Sequence, residues 1–227
     1  DINVAAENDA PINVVPGNQT TDEGVVLPLD GLISVSDVDA GGSNVTMNLR
    51  ITNLNLGACP ACNLATLSLG GSSAGLTVGG SGTPSLTLTG PISAINSALA
   101  DVDLSPIGDQ FGSAELTVTT NDNGNTGNPG PKSDADSFEI TINPVNDPPV
   151  AQDDGAATPE ETAVIVRVLD NDSDLDIDQQ PVMAGHPNLI VVAVDDPPNG
   201  TATITGSATT VTYTPDTDYA AAVDSFT

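Results

Sequence analysis

Carboxylate and carboxamide side chains occur in this sequence as short groups at regular spacings. Asn8-Asp9 stands near the start of the chain, Asp37-Val38-Asp39 follows, and Asp122 lies further on. Ca²⁺ takes about 6–8 oxygen ligands from carboxylates, amide oxygens and carbonyls, whereas Mg²⁺ demands octahedral geometry and retains its waters. The groups therefore favour calcium. The alternative is that Asp-x-Asp is a solvated loop and that the Asn-Asp-x-Pro segments are only turns and linkers.

A second copy of this pattern lies further along the chain. Residues 2–11 match residues 140–149 at a constant offset, and the same offset takes Glu23 to Glu161. The other members of the second copy are Asn146, Asp147, Asp174 and Asp176, the last two after a slip of one residue. Self-similarity at a fixed period indicates tandem modules.

The composition indicates a β protein with an aliphatic core. Only 2% of the 227 residues are aromatic, there is no Trp, and hydrophobic residues make up 38%. Val and Thr suit strands, and 22 Gly and 18 Pro indicate many turns. Disorder is the competing interpretation for so acidic a chain. Regular alternation of apolar and polar residues from Val45 to Thr52 argues against it.

Most elements are predicted as short strands, with one helix among them. Pro91 suits a first helical position, and an apolar stripe follows at i, i+3 and i+7, so a helix is predicted over 91–100. The segment Pro16–Thr21 is predicted as a turn between two strands. In the second module, the apolar run Leu189–Val194 is predicted as a strand.

The charge of the chain argues against several classes of partner. With 31 acidic and 3 basic residues, the net charge is −28. Nucleic acid is a poor partner because binding it needs Lys and Arg against phosphate, and anionic membrane surfaces are disfavoured for the same reason. No apolar run of about 18 residues is present, so no membrane insertion is expected. Salt or bound cations would offset the self-repulsion of such a charge.

Several motifs together resemble a known family. They are Asn146-Asp147-Pro148-Pro149, Asp170-Asn171-Asp172-Ser173-Asp174, Thr212-Tyr213-Thr214-Pro215-Asp216 and Thr120-Asn121-Asp122-Asn123-Gly124. The chain resembles bacterial cadherin-like tandem repeats of the VCBS type, which occur in large surface adhesins and other secreted repeat proteins. The resemblance implies β-sandwich domains in a row, an extracellular location at the cell surface, and calcium at the joints between domains.

We therefore predict an all-β fold of tandem cadherin-like or Ig-like β-sandwich modules, with one short helix in the first module. Residues 1–10 are expected to be the closing strand of a preceding module plus a joint, as in an excerpt of a longer chain. Residues 11–147 are predicted to form a complete sandwich. Residues 148–227 are predicted to form a second sandwich that lacks its last strand or strands.

The order of the strands predicts which oxygen ligands meet. If each strand runs opposite to the previous one, the loops after alternate strands lie at the same end of a sandwich. One set is then expected to face the preceding domain: Asn8, Asp9, Asp37, Asp39 and Asp122. A second set is expected at the joint between the modules: Glu23, Asn146, Asp147, Asp174 and Asp176. Glu161, the counterpart of Glu23, would serve a joint beyond residue 227.

Cys59-Pro60-Ala61-Cys62 is a C-x-x-C motif. In an extracellular protein, we expect a local disulfide between Cys59 and Cys62, and a pair of free thiols is the next alternative. Redox chemistry would need a βαβ context, which is not predicted nearby. A zinc site would need four ligands, and the chain has two Cys and one His.

The sequence favours a structural role over an enzymatic one. Carboxylate pairs can serve a glycosidase, but no aromatic platform for a sugar is present, and the acids fall at joints. We expect a calcium-stiffened spacer or stalk of a cell-surface adhesin or fibre, whose partners are neighbouring repeats of the same or identical chains. The alternative is a homopolymeric head-to-tail filament, in which the strand Ile2–Ala6 of one copy completes the sheet of another. A receptor module would need an exposed apolar patch, for which the sequence offers no candidate.

Overall fold

The computed structural model describes residues 1–56, 63–125, 127–174, 189–220 and 223–227. The chain divides into two compact units, Asp1–Val145 (unit 1) and Asn146–Thr227 (unit 2). The predicted disulfide between Cys59 and Cys62 and the predicted ligand Asp176 lie outside the described residues. Residues 1–10 are grouped with unit 1, and their role as a closing strand of a preceding module stays a prediction.

Unit 1 consists of strands with one short helix, which confirms the predicted all-β class. Its elements in chain order are β1 (Ile12–Val14), β2 (Gln19–Asp22), β3 (Leu27–Pro28), β4 (Ser34–Ser36), β5 (Asn44–Leu56), β6 (Ala65–Leu69), β7 (Thr77–Gly79), β8 (Ser85–Pro91), α1 (Ile92–Ala98), β9 (Val102–Pro106), β10 (Gly112–Asn121) and β11 (Ser133–Asn143). The largest sheet has the order β2-β11-β10-β5-β8-β7, a second has the order β3-β9-β6, and β1 pairs with β4.

One cluster of mainly aliphatic side chains, from the sheets, their connections and α1, forms the core of unit 1. Strand β5 shows why, since alternate residues of a strand point to opposite faces. Its inward positions are Val45, Met47, Leu49 and Ile51, all of them buried. The predicted alternation in this segment is confirmed.

The predicted helix is present and seals one side of this core. Helix α1 follows Pro91, which takes the extended N-cap conformation (φ −61°, ψ 145°), and a 3-10 turn continues it over Leu99–Asp101. Ile95 and Leu99 are buried. The Asn96 carboxamide pairs with the backbone of Val35 in β4, since its Oδ1 accepts from N–H at 2.9 Å and its Nδ2 donates to C=O at 2.8 Å.

The predicted turn at Pro16–Thr21 is wrong, because β2 begins within it at Gln19. Strand β1 pairs with β4, and this pairing ends before Pro16-Gly17. The chain then enters the six-stranded sheet, where β2 runs parallel to β11. Proline cannot donate a ladder hydrogen bond, so a break in pairing at Pro16 is expected. The parallel pairing places the end of β2 beside the end of β11, with Asp22 opposite Asn143.

Unit 2 has three strands among its described residues. They are β12 (Val164–Val166), β13 (Gly200–Thr205) and β14 (Thr210–Pro215), in the order β12-β14-β13 with antiparallel pairing. Val166, Ala202 and Val211 are buried. The prediction of a strand over Leu189–Val194 is wrong, since these residues lie outside every strand and Val191 N–H donates to the Ala208 carbonyl at 2.8 Å, in the turn between β13 and β14. A short apolar run cannot by itself specify a partner strand.

The sequence repeat has a counterpart in the backbone pairing of each unit. In unit 1, Ile12 pairs with Ser36, and in unit 2, Val150 forms a bridge to Ser173. These pairs are equivalent under the repeat described above, including its slip of one residue. Each unit therefore ties its entry segment to the serine that precedes its Asp-x-Asp sequence.

Two leucines of β5 provide a test of the core. Leu49 is fully buried, whereas Leu54 is 55% exposed. We expect Leu49→Ala to lower the free energy of unfolding by about 2–5 kcal/mol, because it leaves a cavity, and Leu54→Ala to change it by about 0.5 kcal/mol or less. Urea denaturation followed by circular dichroism measures both. Equal losses in the two variants would contradict the proposed inward face of β5.

Candidate metal centre

Asn8 and Asp122 form a buried polar pair at one end of unit 1. Both residues are 0% exposed, and Asn8 Nδ2 donates to Asp122 Oδ2 at 2.6 Å and to the Gly130 carbonyl at 2.7 Å. The other oxygen, Asp122 Oδ1, accepts the N–H groups of Gly124 and Lys132, both at 2.8 Å. The pair therefore links the N-terminal segment to the connection between β10 and β11.

Asp9, Asp37 and Asp39 continue this polar network. The N–H of Asp9 donates to Asp39 Oδ2 at 2.6 Å. Asp37 Oδ1 accepts the N–H groups of Asp39 at 2.8 Å and Ala40 at 3.0 Å, so the Asp-x-Asp segment folds around its first carboxylate. Within the first set of predicted ligands, the structure therefore pairs Asn8 with Asp122 and connects the backbone of Asp9 to the Asp37–Asp39 loop. That these residues bind a metal stays a prediction.

Two buried oxygens in this network have no hydrogen-bond partner among the described residues. They are Asn8 Oδ1 and Asp37 Oδ2. A buried oxygen without a donor costs free energy, and a bound cation is one way in which such an oxygen can be satisfied. An open depression of about 420 Å³, lined by residues that include Asp9 and Asp37, lies at this end of the unit. These features fit a hard cation with oxygen ligands.

The acidic side chains of the described residues do not form a metal site by themselves. No group of three or more His, Cys, Asp or Glu side chains in that part of the chain is arranged to hold an ion. A cation at this end of unit 1 would therefore need the Asn8 carboxamide and backbone carbonyls in addition to the carboxylates. Ca²⁺ accepts such mixed oxygen sets.

The Asp122 carboxyl has a pKa below its ordinary value. Burial disfavours the charged form and raises the pKa, but hydrogen bonds from the backbone of Gly124 and Lys132 and from the Asn8 side chain outweigh burial, helped by the Lys132 charge. The Lys132 ammonium also donates to the Asn8 carbonyl. Asp122 is therefore an ionised carboxylate held by donors from three segments.

Glu23 directly follows the last residue of β2 and is also buried. Its Oε1 accepts the N–H of Val145 at 2.6 Å, and its own N–H donates to the Asn143 carbonyl at 2.9 Å. Both contacts depend on the parallel pairing of β2 with β11. The Glu23 side chain therefore binds the segment that leaves unit 1.

The predicted ligands in unit 2 occupy different environments. Asn146 is exposed and its Nδ2 donates to the Asp147 carbonyl at 2.9 Å. Asp174 is buried, and Glu161 is exposed with a positive φ of 58°. That Glu23 shares an ion with Asn146, Asp147, Asp174 and Asp176, and that Glu161 serves a further joint, stay predictions.

The sequence analysis did not identify Lys132 and Gly130, which contact the Asn8–Asp122 pair. Gly130 contributes only a backbone carbonyl, which leaves no signature in the sequence. Lys132 did carry a signal, because it is the single lysine of a chain with a net charge of −28 and stands directly before β11.

Comparisons with known proteins support the fold. Residues 146–227, which are unit 2, match the family described as a bacterial Ig domain. The match supports an Ig-like bacterial domain, while the finer assignment to VCBS-type cadherin-like repeats stays a prediction. No curated protein matches the sequence. In the described part of the chain, no helix is long and apolar enough to cross a membrane.

One solved structure is similar over most of its length. It is the CsuC–CsuE chaperone–tip adhesion subunit pre-assembly complex from archaic chaperone-usher Csu pili of Acinetobacter baumannii. The identity is 9%, the TM-score is 0.36, and the match covers 96% of this chain and 98% of that chain.

The lowered pKa of Asp122 predicts a pH dependence of stability. A carboxyl with a depressed folded-state pKa stabilises the fold above its unfolded value, about 3.9, and this stabilisation is lost as the pH falls through the folded value. At pH 7, we expect Asp122→Asn to cost about 1.5–3 kcal/mol, the range for hydrogen bonds to a charged group. The difference in Tm from the wild type should shrink below about pH 4.

Thermal unfolding between pH 7 and pH 2 measures this difference. Asp30→Asn, which removes the same charge from an exposed position, is the control and should follow the wild type throughout. A difference between Asp122→Asn and the wild type that stays constant down to pH 2 would contradict the assignment.

Proposed function

We propose that this chain is an extracellular structural element, a calcium-stiffened spacer or stalk of a bacterial cell-surface adhesin or fibre. The observation that carries the proposal is the pair of buried oxygens, Asn8 Oδ1 and Asp37 Oδ2, within a network of four acidic residues and Asn8. An ion bound there would fasten the entry segment of unit 1 to its Asp-x-Asp loop. The match of unit 2 to a bacterial Ig domain supports the coarser assignment to an extracellular or surface protein.

The residues of the first set have separate roles in this proposal. Asn8 and Asp37 supply the oxygens that have no donor among the described residues, and Asp39 and Asp122 supply carboxylates that hold backbone donors in place. Calcium, when bound, supplies positive charge that attracts each carboxylate and so offsets the repulsion between the carboxylates. The segment at residues 8–9 then loses freedom relative to the body of unit 1, which makes the chain stiffer under load.

The repeat extends the proposal to unit 2. The bridge between Val150 and Ser173 holds its entry segment beside its own Asp-x-Asp region, as Ile12 and Ser36 do in unit 1. Quasi-one-dimensional arrays of such units suit a spacer, because each repeat adds length and interacts mainly with its neighbours. No catalytic chemistry is part of this proposal.

Calcium should raise the Tm of the full chain above its value in chelator at the same ionic strength. A ligand that binds only the folded state stabilises it by about 2.7 kcal/mol at 100 times its Kd. Asp37→Asn and Asp39→Asn should each reduce this increase, because they weaken the proposed ligand set, whereas Asp30→Asn should leave it unchanged. Differential scanning calorimetry measures all four proteins.

Magnesium at the same concentration serves as the second control and should raise the Tm less. An equal Tm in calcium and chelator would contradict the proposal. So would an increase that is unchanged in both Asp37→Asn and Asp39→Asn, because the ion would then bind elsewhere.

The second candidate function is a subunit of a head-to-tail filament assembled by strand exchange. It is favoured by the exposure of Ile2 (94%) and Val4 (85%), whose counterparts under the repeat, Ile140 and Ile142, are buried in β11. Unit 2 has a groove of about 990 Å³ whose lining includes Val166, Val211, Tyr213 and Phe226. An alternating apolar segment of a second copy could add to such a surface.

The pairing of Ala6 and Asn8 with Asn128 of the same chain limits this second candidate to residues 1–5. If it holds, the double variant Ile2→Asp/Val4→Asp should abolish concentration-dependent polymers, and Asn3→Asp should retain them. Analytical ultracentrifugation and electron microscopy measure the polymers. A wild-type chain that stays monomeric at high concentration would exclude strand exchange.

A further inference from the structure

We propose that Lys132 is a built-in cation at the Asn8–Asp122 end of unit 1. Its ammonium holds this end together in the absence of a divalent ion, and it must move away when calcium binds. The inference rests on the proposed calcium-dependent function, which it deepens by naming the residue that sets the calcium threshold.

The backbone fixes Lys132 beside this network. Its N–H donates to Asp122 Oδ1 at 2.8 Å, and its carbonyl accepts the N–H of Asp122 at 3.1 Å. The backbone bond continues the ladder of β10 and β11, in which Asn121 is opposite Ser133, and the Asp122 carboxylate accepts the N–H of Lys132 in place of a second backbone bond. From this position the side chain reaches the N-terminal segment, where Nζ donates to the Asn8 carbonyl.

The distribution of positive charge supports the same role. The chain has three basic residues, and Arg50 and Arg167 are exposed, while Lys132 is half-buried. The charge of Lys132 also favours the ionised form of Asp122. In a chain with a net charge of −28, the single lysine is therefore placed where acidic groups converge.

An ammonium and a calcium ion need the same kind of partner at this position. Both bind carbonyl and carboxylate oxygens, and two positive charges a few ångströms apart repel each other. Lysine has a flexible four-carbon stem, so its ammonium can leave Asn8 without any change in the backbone. Calcium binding would thus replace the monovalent ammonium of Lys132, which is attached to the chain, with a divalent ion from solution.

The reactivity of Lys132 tests this exchange directly. Because the chain has a single lysine, acetylation of amines in the folded protein is confined to Nζ of Lys132 and the N-terminal amine. We expect calcium to accelerate acetylation of Lys132, since it releases the ammonium from Asn8, while the N-terminal amine reacts at an unchanged rate. Mass spectrometry of peptides at timed intervals measures both rates on the wild-type full chain.

Variants provide a second, independent readout. Lys132→Met keeps an apolar stem and removes the charge, so it should lower the Tm in chelator and tighten calcium binding by roughly threefold to tenfold in titration calorimetry. Lys132→Arg keeps the charge and should behave more like the wild type. Arg50→Met removes the same charge from an exposed strand position of unit 1 and should leave calcium affinity nearly unchanged.

The outcomes separate this inference from the proposed function. If calcium raises the Tm of the wild type but neither speeds acetylation nor binds more tightly to Lys132→Met, Lys132 is not a competing cation and the proposed function stands. If calcium changes none of these quantities, both proposals are overturned. Faster acetylation with calcium, together with tighter binding in Lys132→Met, supports the exchange.

Discussion

Burial of the Asp122 carboxylate is the constraint on which one end of unit 1 depends. A buried charge is tolerated only when it is hydrogen-bonded or paired, and its donors come from Gly124, Lys132 and Asn8. The N-terminal segment must therefore lie against the β10–β11 connection. The link continues into β1, where Asn13 accepts from Thr120 at 2.6 Å. A polar network thus ties the first strand to the hairpin of β10 and β11.

The same network explains how so acidic a chain can hold carboxylates together. Backbone N–H groups neutralise part of the charge of Asp37, Asp39 and Asp122, and Lys132 contributes one full positive charge beside them. These donors leave two buried oxygens without partners among the described residues, on Asn8 and Asp37. Under the proposals above, hydrogen bonds and Lys132 hold this end together without an ion, and a hard cation would be bound by the two remaining oxygens.

Much of this arrangement could be predicted from the sequence. Alternation in β5 led to the prediction of the β class, because period-two burial is visible in side-chain types. The repeat of the Asn-Asp and Asp-x-Asp groups led to the prediction that the first set converges, and the structure pairs Asn8 with Asp122 and Asp9 with Asp39. The parallel pairing of β2 could not be predicted, since it depends on a switch between sheets after Pro16. The strand predicted at Leu189–Val194 does not form, and a short apolar run could not by itself show whether it would pair with another strand.

The central claim is that calcium binds at the end of unit 1 that contains Asn8, Asp37 and Asp122. Amide NMR during a calcium titration of the full chain tests it most directly, because the N–H groups of Asp9 and Asp39 donate to the carboxylates concerned. The account predicts saturable shifts of these amides, with little change at exposed Asp30. Weak, non-saturating shifts spread over acidic residues throughout the chain would contradict it and would indicate general screening of the negative charge.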